Sequence, residues 1–439
     1  MQTSTTTKAG QQAQQAYRAS LFYFTDDPHN NPSAIQWHTD GLLIVSEGLV
    51  VAAGDYNTLK PLLTAGVEVQ HFPGKIIMPG FIDSHVHYPQ TDIIASPAEG
   101  LLPWLETYTF PTERQFSNPQ HAREVAAFFL DELLRNGTTT AMVYCTVHPE
   151  SVEAFFSESE ARNVRMIAGK VLMDRNCPEF LRDTAERSIT DSEELIKKWH
   201  KRGRQLYAIT PRFAITSSEA QMQLAGELAT RYEDTYIQTH VAENRAECDW
   251  ARSLFPQARS YLDVYDQYGL MRPRAVYGHC IWLDQTDRAR MAATQSLAAV
   301  CPTSNLFLGS GLFDFAQADA ANMPMALATD VGGGTSFSMF QTMNEAYKVA
   351  RMNGTHLPAS RLFYLSTLGA ARSLQLEGKI GNFSIGCEAD FIVIDPKATP
   401  LLARRTAQSN SLEELLFALV MLGDARCVEK VFVAIKAIC

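Results

Sequence analysis

The segment 79–90, PGFIDSHVHYPQ, holds His85 and His87 one residue apart, directly after an apolar run. In an extended strand alternate side chains share a face, so both imidazoles point the same way. Farther along, His240, His279 and Asp330 each close a short apolar run, and so does Arg212. Three or four imidazoles with one carboxylate form a borderline-hard donor set, suited to Zn2+ or Fe2+. Glu243 stands three residues after His240 in HVAEN, where it could move protons without being a ligand. Arg212, in TPRF, offers a planar fork of donors that suits a carbonyl. Gln90 carries both a donor and an acceptor, which suits the edge of a heterocycle. His29, His38, His71, His121, His200 and His356 read as isolated core or surface residues.

The chemistry requires that these distant residues meet. Apolar runs at 75–83, 138–144, 165–173, 206–212, 235–240, 274–279, 296–302 and 324–330 predict strands, with helix-like stretches between most of them. One such stretch, NPQHAREVAAFFLDELLRNG, has apolar residues at helical spacing and a glycine stop. Strand then helix, repeated eight times, is the signature of a (β/α)8 TIM-type barrel, whose active site lies at the C-terminal ends of the strands. The first strand ends in Asp83, His85 and His87, the fourth in Arg212, the fifth in His240, the sixth in His279 and the eighth in Asp330. The barrel would converge them on one mouth. The stretch 88–116, with Trp104, Tyr108 and Phe110, is long for a loop and reads as a lid that excludes water. The glycines after Asp330, in VGGG, read as turn geometry beside the metal.

Both ends of the chain read as β-rich, including the hairpin GLLIVSEGLVVAAGDY and the segments 380–396 and 428–438. The expected division is therefore 1–74 and 376–439 as two parts of a small β-sandwich domain, with the barrel over 75–375.

The net charge of −10 disfavours a nucleic-acid or anionic-membrane partner, which needs a basic face. The one basic run, KKWHKRGR at 197–204, reads as the solvated end of a helix. The polar first residues carry no apolar signal segment. The 8 cysteines are scattered without a C-x-x-C pair and read as reduced thiols of a cytoplasmic enzyme.

P-G-x-x-D-x-H-x-H resembles the metal-dependent amidohydrolase superfamily. HYPQ, LLPWLETYTFPTER, NGTTTA, GKVLMDRN, TPRF, HVAEN, CPTSNLFLGSGLF and TDVGGGTSFSM narrow the resemblance to the guanine deaminases, from about residue 40 onward. The resemblance implies a zinc site of one ion per chain, with Fe2+ as the alternative, held by His85, His87, His240 and Asp330. It places His279 at the metal or its water, makes Glu243 the proton shuttle, and has Gln90, Arg212 and the Phe213 backbone hold the purine. Glu243, Asp330 and His279 would carry the hydrolysis of guanine to xanthine and ammonia. A homodimer is also implied. The sequence departs from the family at YGHC, for the usual AHC, at ATD, for GTD, and at Cys387, where lysine is common. The alternatives are another ring or amide hydrolase on this barrel, acting on dihydroorotate-like, triazine or oxidised-guanine substrates, or a non-catalytic homologue. A two-metal amide hydrolase often needs a bridging lysine, and Lys170, the nearby one, reads as structural.

Overall fold

The computed structural model describes residues 14–97, 99–434 and 436–437. The polar stretch 1–13 lies outside the described residues, as do 435 and 438 of the last expected strand. The chain opens with strands β1 (Gln14–Phe24), β2 (Ile35–Ser46), β3 (Leu49–Asp55) and β4 (Val69–Pro79). The barrel strands follow as β5 (Phe81–His87), β6 (Thr138–Tyr144), β7 (Arg165–Gly169), the short β8 (Val171–Leu172), β9 (Leu206–Pro211), β10 (Tyr236–Val241), β11 (Ala275–His279), β12 (Leu297–Val300) and β13 (Met325–Leu327). The chain ends with β14 (Phe391–Ile394), β15 (Val428–Val433) and β16 (Lys436–Ala437).

The barrel strands pair in parallel in the order β13-β12-β11-β10-β9-β7-β6-β5, with β8 alongside β9. The ring closes between β13 and β5. Asp330 N donates to His85 O at 3.0 Å and His87 N to Val331 O at 2.8 Å. Asp83 strengthens this seam from within, accepting from Thr329 N at 3.1 Å and from the Thr329 hydroxyl. The helices outside are capped by their own flanking residues. Asn118 accepts from Gln120 N ahead of the helix Pro119–Arg135, which buries Val125, Phe129, Leu130 and Leu133 and stops at Gly137 in the left-handed region.

The chain ends form the expected small β domain, as one seven-stranded mixed sheet in the order β16-β15-β14-β4-β1-β2-β3. Tyr17 on β1 nonetheless touches Phe432 on β15, with ring centroids 5.0 Å apart. The two strands are three steps apart, about 14 Å in a flat sheet. The sheet therefore curls around its own core of Tyr17, Leu21, Leu43, Ile77, Phe391 and Phe432. Its other face sends Phe22, Met78, Ile392 and Val431 into the barrel's main core.

Two expected boundaries move. The run 75–83 is two strands, since Lys75–Pro79 belongs to the sheet and the barrel begins after Gly80. A side chain at 80 would collide with Thr139, its Cβ standing 2.2 Å from Oγ1. The segment 376–439 is also not all β, because the helices Pro400–Thr406 and Leu412–Leu422 bury Leu402, Leu416 and Leu419 in the barrel's core. Arg204, expected in solvent, is buried and bonds Asp390 and Glu388. Among the described residues no helix is long and apolar enough to cross a membrane.

Candidate active site

His85 and His87 lie at the C-terminal end of β5, both buried, with alternation carrying them to the same side. Nε2 of each stands 3.4 Å from Asp330 Oδ1. His240, near the end of β10, brings its Nε2 to 3.1 Å from His87 Nε2. Its Nδ1 donates to the Arg212 carbonyl at 2.7 Å, which leaves the Nε2 lone pair facing the site. His85 Nε2 is buried and has no hydrogen-bond partner.

These distances suit a small cation. Tetrahedral ligand atoms about 2.0–2.1 Å from a common centre lie about 3.3 Å from one another. The pairs at 3.1 and 3.4 Å match that spacing. Protonation fits as well, since burial pushes the pKa of His85 down and those of His87 and His240 well down, leaving neutral ligands. Burial alone would raise Asp330, but His85 beside it and the other surrounding imidazoles outweigh burial and hold its pKa at about 2. The residues present therefore fit a divalent metal. Cys301 also lies within ligand distance of His85, His279 and Asp330. Burial pushes its thiol well up, so it stays protonated and remains a core residue.

His279 stands across from this cluster. Its Nδ1 is held by Asn305 Oδ1 at 2.8 Å, and its Nε2 faces Glu243 Oε2 at 3.3 Å and Asp330 Oδ2 at 3.8 Å. Burial works against its charge, but Glu243 and Asp330 outweigh burial and raise its pKa. Glu243 is itself buried, which pushes its pKa up to about 7. Ser310 donates to Glu243 Oε1 at 2.8 Å, leaving Oε2 as the oxygen turned to the site. His279 and Asp330 have φ of 74° and 51°, in the left-handed region that costs a non-glycine residue energy. The glycine of YGHC gives His85 room, because a Cβ at Gly278 would stand 2.7 Å from the His85 ring.

A cavity of about 410 Å³ opens in front of these groups. Gln90, Arg212, Phe213 and Trp104 line it together with His87, His240, His279, Glu243 and Asp330. All nine sequence-predicted site residues thus converge, although His85 sits just behind the wall. Phe213 is buried, and its carbonyl accepts from Thr216 N at 3.1 Å. The glycines after Asp330 serve close packing against protein. A Cβ at Gly332 would stand 2.6 Å from the Gln90 carbonyl, and one at Gly334 would stand 1.8 Å from that of Thr329.

The expected lid loop is largely helical. A helix runs from Leu101 through a π-helical turn at Leu105–Thr109 to Glu113. Pro111 lacks an N–H and crowds the carbonyl four residues back, which the wider turn just before it relieves. This helix buries Trp104, whose Nε1 donates to Ser96 O at 3.1 Å, and carries Phe110 and Glu113 to Arg212. Glu113, Asn305 and Ser310 were not singled out from sequence. The motifs YTFPTER and CPTSNLFLGSGLF that contain them were the only signal. Lys170 lies apart from the cavity, buried and paired with Asp183 at 2.6 Å.

Comparison with known proteins agrees with this geometry. The amidohydrolase family model matches residues 76–437. Guanine deaminase of Escherichia coli K12 is 48% identical over 428 residues, covering 97% of this chain and 98% of the relative. The solved E. coli guanine deaminase superposes with a TM-score of 0.94 at 46% identity, covering 98% of this chain and 99% of that one. The guanine deaminase of C. acetobutylicum, solved with guanine in its active site, superposes with a TM-score of 0.88 at 26% identity, covering 97% and 100%. The chain belongs to the amidohydrolase family.

Proposed function

We propose that this protein hydrolyses guanine to xanthine and ammonia, using one zinc ion per chain. The observation that carries the reading is one cavity with two unlike walls. On one side stand His85, His87 and His240, with Asp330 at 3.4 Å from the first two and Glu243 and His279 beside them. On the other stand Arg212, Gln90 and Phe213. The similarity to proteins named guanine deaminase supports the same substrate.

When bound, the metal acts as a Lewis acid and lowers the pKa of water to about 7. Asp330 Oδ2, the oxygen turned toward His279, takes a proton from the attacking water. The water oxygen bonds to C2 of the purine, which becomes tetrahedral. Glu243, protonated in good part at neutral pH because burial holds it at about 7, gives its proton to a ring nitrogen from Oε2. His279 Nε2 steadies the new hydroxyl on C2. Glu243, now a carboxylate, takes the proton of the C2 hydroxyl and passes it to the amino group; the C2–N bond breaks as the C2 carbonyl forms, ammonia leaves, and the proton held by Asp330 returns to Glu243. Arg212 donates to the O6 carbonyl, while Gln90 and the Phe213 backbone fix the ring edge. The Lys170–Asp183 pair, away from the cavity, favours this one-metal chemistry over a two-metal amide hydrolase. The nitrogen and carboxylate donors suit zinc and also admit Fe2+. A homodimer in a reducing cytoplasm completes the proposal. Ultraviolet absorbance with a panel of purines tests the function, with guanine consumed in preference to adenine. Elemental analysis tests the metal, with about one zinc expected per chain.

A further inference from the structure

Arg212 places a guanidinium on a cavity wall that is otherwise rich in carboxylates and imidazoles. Its partner lies behind the wall. Glu113 is fully buried and does not line the cavity. Both of its oxygens accept from Arg212 Nη1 at 2.8 Å, and Oε1 also accepts from Gln90 Nε2 at 3.4 Å. One carboxylate therefore holds both side chains assigned to the purine. The arrangement commits Nη1 and leaves the N–H groups of Nη2 and Nε for a ligand. A carboxylate only accepts, so the Gln90 amino group turns toward it, and the Gln90 oxygen accepts from Gly332 N at 3.4 Å. The face of Phe110, one helical turn before Glu113, lies 5.6 Å from the same guanidinium.

We propose that Glu113 is a positioning residue that sets the charge the site accepts. It cancels the Arg212 cation and fixes its donor edge, so the pocket binds a neutral purine through its carbonyl and does not retain the anion of a dioxopurine. The inference rests on the reading of guanine as substrate and xanthine as product. A purine with two ring carbonyls is a weak acid, because its anion spreads charge over both oxygens. At the wall such an anion meets a neutralised arginine. Elsewhere in the cavity stand the acidic side chains of Glu243, Glu247 and Asp330, with His87, His240 and His279 facing the same space and the metal, when bound, offsetting the Asp330 charge. With the Glu113 charge removed, Arg212 becomes a net cation and should grip the product anion.

The test compares guanine turnover with xanthine inhibition in the metal-loaded, full-length enzyme. In Glu113→Gln the KM for guanine should rise on the order of tenfold, as expected when a charged hydrogen-bond partner is lost. Competitive inhibition by xanthine should tighten by on the order of tenfold at mildly alkaline pH, and much less at mildly acidic pH, where xanthine is neutral. Weakened binding of both purines, the mark of a merely structural role, overturns the proposal, and so does unchanged xanthine inhibition. Glu113→Asp keeps the charge and carries the test if Glu113→Gln does not fold. It should raise the guanine KM with no tightening by xanthine, whereas tighter xanthine inhibition or an unchanged guanine KM overturns the proposal. Failure of the guanine reading itself is separate, because it appears in the unaltered enzyme as an absence of guanine turnover.

Discussion

The main-chain carbonyl of Arg212 accepts a hydrogen bond from His240 Nδ1 at 2.7 Å, while the Arg212 side chain lines the substrate cavity. One residue thus orients an imidazole of the candidate metal site with its backbone and faces the cavity, where the purine is proposed to bind, with its guanidinium. The two roles should separate on substitution. In Arg212→Ala the carbonyl stays, so metal content should be unchanged. Guanine kcat/KM should fall by about 10²-fold or more, from loss of charged hydrogen bonds. Loss of metal in that variant would show that the side chain, and not the backbone, supports His240.

Glu243 has one oxygen tied to Ser310 at 2.8 Å and the other facing His279 at 3.3 Å. Glu243→Gln keeps size and polarity and removes the proton carrier. Metal content and thermal melting should stay near those of the unaltered protein, while kcat falls by roughly 10²–10⁴-fold. Near-normal turnover measured by ammonia release would remove Glu243 from proton transfer.

Asn305 is the group that fixes the His279 ring, through Nδ1 at 2.8 Å. Asn305→Ala should leave His279 free to turn and lower kcat by about 10–100-fold, the usual cost of losing an outer partner of a site histidine. KM for guanine should change far less, since Asn305 does not line the cavity. Steady-state kinetics distinguish this from a binding defect, which would move KM.

Glu388 joins the curled sheet to the barrel by accepting from Arg165 Nε at 2.9 Å and from Arg204 Nη2 at 2.5 Å. Burial would raise its pKa, but the Arg165 hydrogen bond and the two arginine charges outweigh burial and lower it from 4.5. A carboxylate with a depressed folded pKa contributes stability above its unfolded pKa and loses it as pH falls through the folded value. Glu388→Gln should therefore destabilise by about 1–3 kcal/mol at neutral pH. The gap to the unaltered protein should close in acid, below about pH 4.5. Asp390 opposes this trend, because burial raises its pKa despite Arg204. Denaturant melts of both proteins across pH isolate the Glu388 contribution, and a gap that persists in acid contradicts it.

Much of the site was legible because its signals are local. Alternation put His85 and His87 on one face, and the ends of the apolar runs marked His240, His279 and Asp330. Glu113 was not legible as a partner, since 99 residues separate it from Arg212 and nothing in its own segment points there. Asn305 and Ser310 are the same case, polar residues whose meaning comes from side chains brought near only by closure of the barrel. The run KIIMPGFID read as one strand because its apolar character is continuous. Pro79–Gly80 is the turn signal that separates sheet from barrel. The small β domain was legible because both chain ends are β-rich around a long middle, while the order of its strands in one curled sheet depends on pairings between the two ends. Arg204 was misplaced because a basic run says nothing about Glu388 and Asp390, whose separations from it are 184 and 186 residues.

The central claim is that the two-walled cavity converts guanine by hydrolysis at C2. The most direct measurement follows guanine by ultraviolet absorbance with the zinc-loaded enzyme while ammonia is assayed in parallel. The account predicts xanthine and ammonia in equal amounts, with loss of turnover on chelation and recovery on adding zinc back. Guanine left unchanged by the metal-loaded enzyme, with a different ring compound consumed in its place, would contradict it.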